Sequence, residues 1–250
     1  MNLVVLIPTY NESDNIGVLL TSLREVGYRN PDIVLRVIVI DDSSPDGTAD
    51  VVRTYDKRLR SNSFSIDVLV REKKEGLGMA YIHGFKVTLS ALDRPDYVLQ
   101  MDADLSHDPR YVDAFIENAR RGADFIVGTR YIPGGATPDW SWYRKLLSRG
   151  GNFYARAILG KSVTDYTGGF NMYGVSLLET LDFDALSHIG YGFLIDLKYQ
   201  AMLRSRSLAQ VPIVFMDRRH GSSKMPADTI IKNFLLVLKI RYRHLKSKYQ

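Results

Sequence analysis

The sequence predicts an α/β fold with a mostly parallel sheet flanked by helices. Five short apolar runs of strand length alternate with segments of helical periodicity as far as residue 128. The chain has 250 residues, of which 45% are hydrophobic and 24% are charged, enough for one large globular domain with a full core. We therefore expect strands over residues 3–7, 36–40, 66–70, 97–101 and 125–127.

Each of the first four predicted strands leads into a polar loop, over residues 8–12, 41–48, 73–78 and 102–108. The carboxyl ends of parallel strands meet at one edge of a sheet, so we expect these loops to cluster there. Such a cluster of carboxylates needs a cation or hydrogen-bond donors from a ligand, and a nucleotide diphosphate with a divalent ion would supply both. The carboxylates are Glu12, Asp41, Asp42, Asp46, Asp102, Asp104 and Asp108.

Asp102 and Asp104 follow the fourth predicted strand two residues apart. In an extended chain residues i and i+2 point to the same side, so the two carboxylates would converge. Hard oxygen ligands without cysteine or clustered histidine suit Mg²⁺ or Mn²⁺. The alternative is a pair of solvated turn carboxylates before a helix N-terminus, where aspartate is favoured in any case.

The alternating rhythm changes after Gly128. A loop rich in proline and glycine over 131–138 precedes a predicted helix over 142–159, and a glycine-containing loop over 165–170 precedes a helix over 193–203 and a strand over 211–215. Any single cationic side chain in this half is more typical of a solvated surface charge, but their location in irregular loops after the sheet favours a second anionic ligand. They are Arg130, Arg144, Arg149, Arg218, Arg219 and Lys224.

The net charge of +5 comes from a C-terminal stretch that contains Lys239, Arg241, Arg243, Lys246 and Lys248. From Asp228 the pattern predicts an amphipathic basic helix, and we divide the chain into a domain over 1–225 and this helix over 226–250. Either the helix lies on an anionic membrane surface, or it packs on the core with a solvated basic end. If the helix lies on a membrane, the lack of a membrane-span pattern, a signal sequence and cysteine predicts a peripheral protein on the cytoplasmic face.

Eight motifs together resemble the dolichol-phosphate or polyprenol-phosphate mannose synthases, which are inverting family 2 glycosyltransferases with a GT-A fold. The resemblance extends from residue 3 to about residue 225. The motifs are Pro8–Glu12, Asp41–Thr48, Gly76–Tyr81, Asp102–His107, Gly128–Tyr131, Ser148–Asn152, Asp165–Phe170 and Arg218–Lys224.

The resemblance implies a role for each matching residue. Those that would hold the nucleoside are Pro8, Tyr10, Glu12, Val39 and Asp41. Metal and diphosphate would be held by Asp102, Asp104 and the backbone of Ala103, and the lipid phosphate by Arg130, Arg144 and Ser148. Arg218 and Lys224 would lie on a loop that closes over the phosphates. The residues expected to carry catalysis are Asp104, Arg130 and Arg218.

Two positions depart from the pattern of the family that the chain resembles. Asn171 stands where the family has arginine, and Leu194 stands where it has glutamine, while Asp196 keeps a carboxylate. These departures lie in the half expected to bind sugar and acceptor. GDP-mannose remains the expected donor, with another nucleotide sugar such as UDP-glucose as the alternative.

The expected reaction is attack of a polyprenyl or dolichyl phosphate oxygen on C1 of a nucleotide-linked hexose, with inversion. A phosphomonoester has a second pKa near 6, so this nucleophile is already ionised at neutral pH. A saccharide hydroxyl acceptor would instead need a base, for which Asp165 and Asp196 are candidates. Expected partners are a membrane surface and, as an open alternative, a separate membrane-anchoring protein. We expect no nucleic acid, although a basic binding module without catalysis is the alternative from another functional class.

Overall fold

The structure is a computed structural model that describes residues 1–186, 192–217 and 227–247, with the side chains of the last segment described from residue 234 to residue 246. The described residues form one seven-stranded sheet in the order β3-β2-β1-β4-β6-β5-β7. The neighbouring strands run parallel except β6, which is antiparallel to both β4 and β5. The strands are β1 (Asn2–Thr9), β2 (Val34–Asp41), β3 (Phe64–Val70), β4 (Tyr97–Gln100), β5 (Phe125–Thr129), β6 (Asn171–Gly174) and β7 (Leu208–Pro212).

Helices follow most of the strands and cover both faces of the sheet. A short 3-10 turn over Pro109–Tyr111 precedes the fourth helix. The described helices are α1 (Ser13–Arg29), α2 (Thr48–Leu59), α3 (Leu77–Ser90), α4 (Val112–Arg120), α5 (Trp142–Leu159), α6 (Val175–Leu178), α7 (Gly192–Arg204) and α8 (Ala227–Ser247).

Strand β1 shows why residues 3–7 are all apolar. Leu3, Val5 and Ile7 pack into the core on the face that α1 covers. The residues between them, Val4 and Leu6, pack into the core on the opposite face with α3. A strand buried on both faces needs hydrophobic side chains at every position, which is the pattern expected for a parallel sheet.

The α/β class and the first five strands are confirmed, and the second half of the sheet differs from prediction. Strand β6 was not predicted, because Asn171–Gly174 has only four residues and they carry no strand periodicity. The last strand lies earlier than predicted, at Leu208–Pro212 rather than 211–215. Residues 213–215 instead pair with the loop around Ala136, whose N–H donates to the Ile213 carbonyl at 3.0 Å.

The C-terminal helix α8 packs against α5 and α7. Val237 and Ile240 are buried in the core. Arg243 donates to both carboxylate oxygens of Asp196, at 2.6 and 2.5 Å. At least part of the basic stretch therefore serves the fold. The predicted division at residue 225 falls between 218 and 226, outside the described residues, and stays a prediction, as does the amphipathic character of the helix.

None of the helices that the structure describes is both long enough and apolar enough to cross a membrane.

Candidate active site

The loops after β1 and β2 are joined by hydrogen bonds at the carboxyl edge of the sheet. The Glu12 N–H donates to the Thr48 hydroxyl at 3.0 Å. Thr9 donates to the Asp41 carboxylate at 2.9 Å, and Ser44 donates to it through its backbone N–H at 2.9 Å and through its hydroxyl at 2.6 Å. The predicted clustering of these loops is therefore present in the structure.

Several carboxylates at this edge have donors inside the protein, which weakens the argument that they need a ligand. Arg71 donates to Asp42 at 2.8 Å and also pairs with Glu75. Asp46 accepts from the Ser13 N–H and from Thr48. Arg71 and Ser13 lie outside the loop over residues 41–48, so the sequence of that loop did not reveal them, whereas Thr48 is a donor within it. The carboxylate count alone is thus no measure of ligand binding here.

Asp102 and Asp104 lie just beyond β4, where the chain leaves the strand and bends. His107 fixes the first of them, because the Asp102 N–H donates to His107 Nδ1 at 3.0 Å. Asp104 accepts from Ser106 through the backbone N–H at 3.1 Å and the hydroxyl at 2.6 Å. Leu105, which follows Asp104, has a φ of 63°. The chain bends over residues 103–107, so it is not extended between the two carboxylates as predicted.

The imidazole of His107 is a buried, neutral group that positions Asp102. Burial lowers the pKa of His107. Because Nδ1 accepts a hydrogen bond, the neutral ring carries its proton on Nε2, which lies 3.8 Å from an Asp102 carboxylate oxygen. The ring also stacks on Phe170, with the centroids 4.8 Å apart. Sequence reasoning quoted His107 in a motif but assigned it no role.

The donor set at this turn fits a hard divalent cation. The Asp102 side chain is 29% exposed, whereas Asp104 is buried. No group of three or more histidine, aspartate or glutamate side chains able to hold a metal occurs in the described part of the chain. Mg²⁺ and similar ions bind through one or two carboxylates and complete their coordination with water and substrate phosphates. Two aspartates therefore suffice for an ion of this type.

The loop Asp165–Phe170 lies between this turn and Arg130, the residue that follows β5. A side chain at Gly169 would lie 3.5 Å from an Asp102 oxygen, so glycine keeps the space beside that carboxylate open. At the other end of the loop, Asp165 accepts from Arg130 Nε at 2.7 Å and from a terminal nitrogen at 2.8 Å. Both side chains are buried. Burial alone would raise the pKa of Asp165, but the guanidinium outweighs it and holds that pKa well below the usual range.

A cavity of about 440 Å³ opens beside Arg130. Helix α5 supplies one wall, in which Arg149 and Arg156 lie two helical turns apart on one side of the helix. The Nε of Arg156 is buried without a hydrogen-bond partner among the described residues. Besides the three arginines the cavity is lined by Tyr131, Ile132, Gly135, Asn152, Phe153 and Thr164.

Arg144 and Ser148, the other two residues expected to bind the lipid phosphate, do not line this cavity. Arg144 pairs with Asp217 at 2.7 Å and stacks on the Trp140 ring. The Ser148 hydroxyl bonds to the Tyr131 hydroxyl at 2.6 Å. Arg156, which was not among the cations expected to bind a ligand, lines the cavity instead.

The residues expected to hold the nucleoside differ in exposure. Tyr10 is exposed, and the Lys74 ammonium lies 3.5 Å from the centre of its ring. Pro8 and Glu12 are half-buried. The Val39 side chain is completely buried in the core, and Ala103 is nearly so. Arg218 and Lys224 lie outside the described residues, so their predicted roles stay predictions.

The matched family model is that of glycosyl transferase family 2, over residues 4–182. The chain belongs to glycosyltransferase family 2. The membership of family 2 that the motifs predicted is thereby confirmed.

Two relatives match this family 2 glycosyltransferase over almost its whole length. One is an undecaprenyl-phosphate mannosyltransferase from Micrococcus luteus, 38% identical over 92% of this chain and 90% of the relative. The other is a polyprenol monophosphomannose synthase from Mycolicibacterium smegmatis, 37% identical over 91% of this chain and 82% of the relative.

Solved structures of other sugar transferases share the fold. Mannosyl-3-phosphoglycerate synthase from Rubrobacter xylanophilus has a TM-score of 0.63 at 18% identity, over 99% of this chain and 75% of that one. Glucosyl-3-phosphoglycerate synthase from Mycobacterium tuberculosis, in complex with Mn²⁺, uridine diphosphate and phosphoglyceric acid, has a TM-score of 0.63 at 20% identity, over 96% and 76%. The predicted GT-A fold is confirmed.

The two positions that depart from the expected family pattern are both buried in this glycosyltransferase. The Asn171 amide donates to Gln100 and to the Gly168 carbonyl, each at 3.3 Å, while its own oxygen has no described partner. Leu194 lies in the core cluster that contains α7. Asp196 is held by Arg243 and is completely buried. Asn171 is thus the departure adjacent to the 165–170 loop, and Leu194 is a packing residue.

Proposed function

We propose that this chain transfers mannose from GDP-mannose to the phosphate of a polyprenyl lipid, with inversion at the anomeric carbon. The observation that carries the proposal is the Asp165–Phe170 loop, which joins Asp102 at one end to the Arg130 cavity at the other. A metal-binding turn and a cationic cavity on either side of one short loop suit a donor diphosphate and an acceptor phosphate. The similarity to two polyprenol-phosphate mannosyltransferases supports the same reading.

The acceptor oxygen attacks C1 of the mannose, a C–O bond forms there, and the bond to the nucleoside diphosphate breaks. The leaving diphosphate takes the electron pair. Because attack and departure occur on opposite faces, an α-linked donor gives a β-linked lipid phosphate sugar. The lipid phosphate is already ionised near neutral pH, so no proton has to be removed from the nucleophile.

The environment of the two candidate bases favours a phosphate acceptor over a saccharide hydroxyl. Asp165 is tied to Arg130, and Asp196 is tied to Arg243. Arg130 holds the pKa of Asp165 well below its usual range. Asp165 is therefore a weak base, because taking a proton would cost it the ion pair with Arg130. A hydroxyl acceptor would therefore lack a good base at Asp165, and the completely buried Asp196 already accepts from Arg243.

Asp102 and Asp104 would hold Mg²⁺ or Mn²⁺, and His107 keeps the Asp102 backbone in position for this. When bound, the ion neutralises the negative charge that builds up on the departing diphosphate. Arg130 would bind the acceptor phosphate, with Asp165 fixing the plane of its guanidinium. Pro8, Tyr10, Glu12, Val39 and Asp41 would hold the nucleoside, and Arg218 with Lys224 would close over the phosphates.

A panel of radiolabelled nucleotide sugars tests the donor. The full chain is incubated with undecaprenyl phosphate, each labelled donor and Mg²⁺ or Mn²⁺, and label is counted after extraction into organic solvent. We expect label from GDP-mannose and none in excess chelator. Label from UDP-glucose instead would mean that Asn171, which stands in place of the family's arginine, accompanies a change of sugar. Strict use of GDP-mannose would mean that Asn171 does not affect the choice of sugar. No extractable label from any donor would overturn the proposed function.

A lipid acceptor requires contact with a membrane, and we propose that the protein acts peripherally on the cytoplasmic face. Two of the basic residues of α8 that were expected to contact the membrane bind other parts of the protein instead. Arg241 donates to the Tyr199 hydroxyl at 2.7 Å, and Arg243 donates to the Asp196 carboxylate. Ending the chain at Leu238 would remove buried Ile240 and the Arg243 guanidinium that binds Asp196, so truncation is a poor test of membrane contact.

A further inference from the structure

Lys198 lies in the middle of helix α7, and its side chain is completely buried. Its ammonium donates to the backbone carbonyl of Asp165 at 2.6 Å. This bond holds the start of the Asp165–Phe170 loop, the segment that lies between Arg130 and Asp102. A buried ammonium costs free energy that an apolar side chain at the same position would not cost. Its place directly behind this loop therefore indicates a role in the site.

Lys198 is the second buried cation beside a single carboxylate. Both oxygens of Asp165 accept from the Arg130 guanidinium, and one of them also accepts from the backbone N–H groups of Thr167 and Gly168. Lys198 reaches the Asp165 carbonyl and not this carboxylate. When Lys198 is protonated, the cluster holds two positive charges and one negative charge away from water. The extra positive charge is unfavourable there until an anion binds nearby.

Three elements bring charged or titratable groups to face Lys198 among the described residues: the loop with Asp165, the end of β5 with Arg130, and the bend after β4 with His107. Arg130 keeps its proton near neutral pH, and the pKa of Asp165 is held well below its usual range, so neither group changes its charge there. Burial lowers the pKa of His107, so the imidazole is neutral above pH 7. Lys198 is therefore the member of this cluster that titrates just above neutral pH.

The charge of Lys198 depends on what surrounds it. Burial lowers the pKa of Lys198 to about 7, while Asp165 opposes this shift and Arg130 adds to it. On helix α7 itself, Asp196 is bound by Arg243 of α8 and is already balanced. Without a ligand the lysine is thus mostly neutral at pH 8. An anion beside Arg130 would favour the ammonium, because an opposite charge nearby stabilises the protonated form.

We propose that Lys198 is a positioning residue for the acceptor: it takes a proton from solvent when the lipid phosphate binds beside Arg130, and it returns that proton when the glycosylated product leaves. This role rests on the proposed function, which supplies the anion. The acceptor is a phosphomonoester dianion, whereas the product is a phosphodiester with one negative charge. The proton is therefore held most strongly before the sugar is transferred. In its charged form Lys198 fixes Asp165, and through Asp165 it fixes the Arg130 guanidinium.

Calorimetry of acceptor binding measures this proton directly. A short, water-soluble isoprenyl phosphate is titrated into the full chain at pH 8 in two buffers of different ionisation enthalpy, and the difference in heat gives the number of protons taken up. At this pH the acceptor is already a dianion and takes up no proton of its own. We expect roughly 0.5 to 1 proton per acceptor bound. The affinity for the acceptor should fall by up to about tenfold per pH unit between pH 7 and 9.

Lys198→Gln keeps a hydrogen-bond donor on the side chain but carries no charge. In this variant the proton uptake should disappear, and the affinity for the acceptor should no longer depend on pH. The matched control is Lys161→Gln, at an exposed lysine, which should behave as the wild type does. Circular dichroism establishes that each variant is folded, and Lys198→Met serves as the second variant if Lys198→Gln does not fold.

Equal proton uptake by the wild type and by Lys198→Gln would overturn the role of Lys198, as would no uptake by the wild type. Transfer of mannose to undecaprenyl phosphate in that case would leave the proposed function intact. The opposite result, uptake that depends on Lys198 without transfer from any nucleotide sugar, would support the anion-linked proton and overturn the proposed function. Failure of the wild type to bind the isoprenyl phosphate would overturn the role of Lys198, and the transfer assay would then decide the proposed function separately.

Discussion

Arg130 and Asp165 form a buried bidentate ion pair, with the guanidinium Nε 2.7 Å from one carboxylate oxygen and a terminal nitrogen 2.8 Å from the other. A third bond from the same guanidinium reaches the Thr167 hydroxyl at 2.8 Å. The pair fastens the end of β5 to the loop that contacts Asp102. It therefore connects the proposed acceptor side to the proposed donor side of the site.

Replacing Arg130 should affect stability and activity in different ways. Arg130→Met leaves the Asp165 carboxylate buried without the guanidinium, so the free energy of unfolding should fall by about 3 kcal/mol.

Arg130→Lys keeps the charge but loses the bidentate geometry, and kcat/KM for the lipid phosphate should fall more than about tenfold. Denaturant titration and initial rates measure the two effects. The control is Arg121→Lys, at an exposed arginine of the α4 end; unchanged kinetics for Arg130→Lys would remove Arg130 from the acceptor site.

The metal prediction concerns Asp102 and Asp104. Asp102→Asn and Asp104→Asn should each retain the fold and lower turnover by at least about 100-fold, because loss of a supporting residue alone typically costs 10–100-fold. Mn²⁺ binding, followed by electron paramagnetic resonance in the presence of GDP, should weaken in parallel. The exposed Asp50→Asn provides the control. Full activity of either site variant in excess chelator would contradict a metal held by this turn.

His107 should act through Asp102. His107→Phe can keep the stacking on Phe170 but removes the acceptor for the Asp102 N–H, so we expect Mn²⁺ affinity to fall about tenfold. The variant should bind donor less tightly as well, which a purely structural residue would not cause at matched stability. Titration of Mn²⁺ with and without GDP measures both. Wild-type metal affinity in a folded His107→Phe protein would show that Asp102 needs no such support.

Lys198 should make stability depend on alkaline pH. Its ammonium is buried and donates to the Asp165 carbonyl at 2.6 Å, and burial lowers its pKa from 10.5 to about 7. Between those two pH values the unfolded chain holds a proton that the folded chain has released. The free energy of unfolding should therefore rise with pH across this window, by roughly 1 kcal/mol per pH unit.

Urea titrations at pH 7, 8 and 9 compare wild type with Lys198→Met and with Lys161→Met, which removes an exposed lysine. The rise should disappear in Lys198→Met and persist in Lys161→Met. Parallel pH dependence in all three proteins would mean that Lys198 stays protonated in the folded chain.

The elements that the sequence predicted well are those with a local signal. Strand β1 is apolar throughout residues 3–7 because both of its faces are buried there, and the helix over 142–159 coincides with α5. Strand β6 lacks such a signal, since a four-residue strand between β4 and β5 depends on its neighbours for pairing.

The motifs of the site could be predicted from the sequence, but the ion pairs between residues far apart in the chain could not. The Arg130–Asp165 pair joins residues thirty-five positions apart, and Arg71 reaches Asp42 from another loop. No pattern along the chain encodes such contacts. Sequence reasoning therefore overestimated how many carboxylates need a ligand, and it did not single out Arg156 as a cavity residue. The bend over residues 103–107 similarly replaced the expected extended arrangement of Asp102 and Asp104.

Transfer to a lipid phosphate is the central claim, and comparing two acceptors that differ only in the phosphate tests it most directly. The full chain is incubated with GDP-[¹⁴C]mannose, a divalent ion and either undecaprenyl phosphate or undecaprenol, and organic-extractable label is counted. The account predicts label in a mannosyl phosphoryl lipid with undecaprenyl phosphate and none with undecaprenol. Label transferred to undecaprenol, or no label with the phosphate, would contradict it.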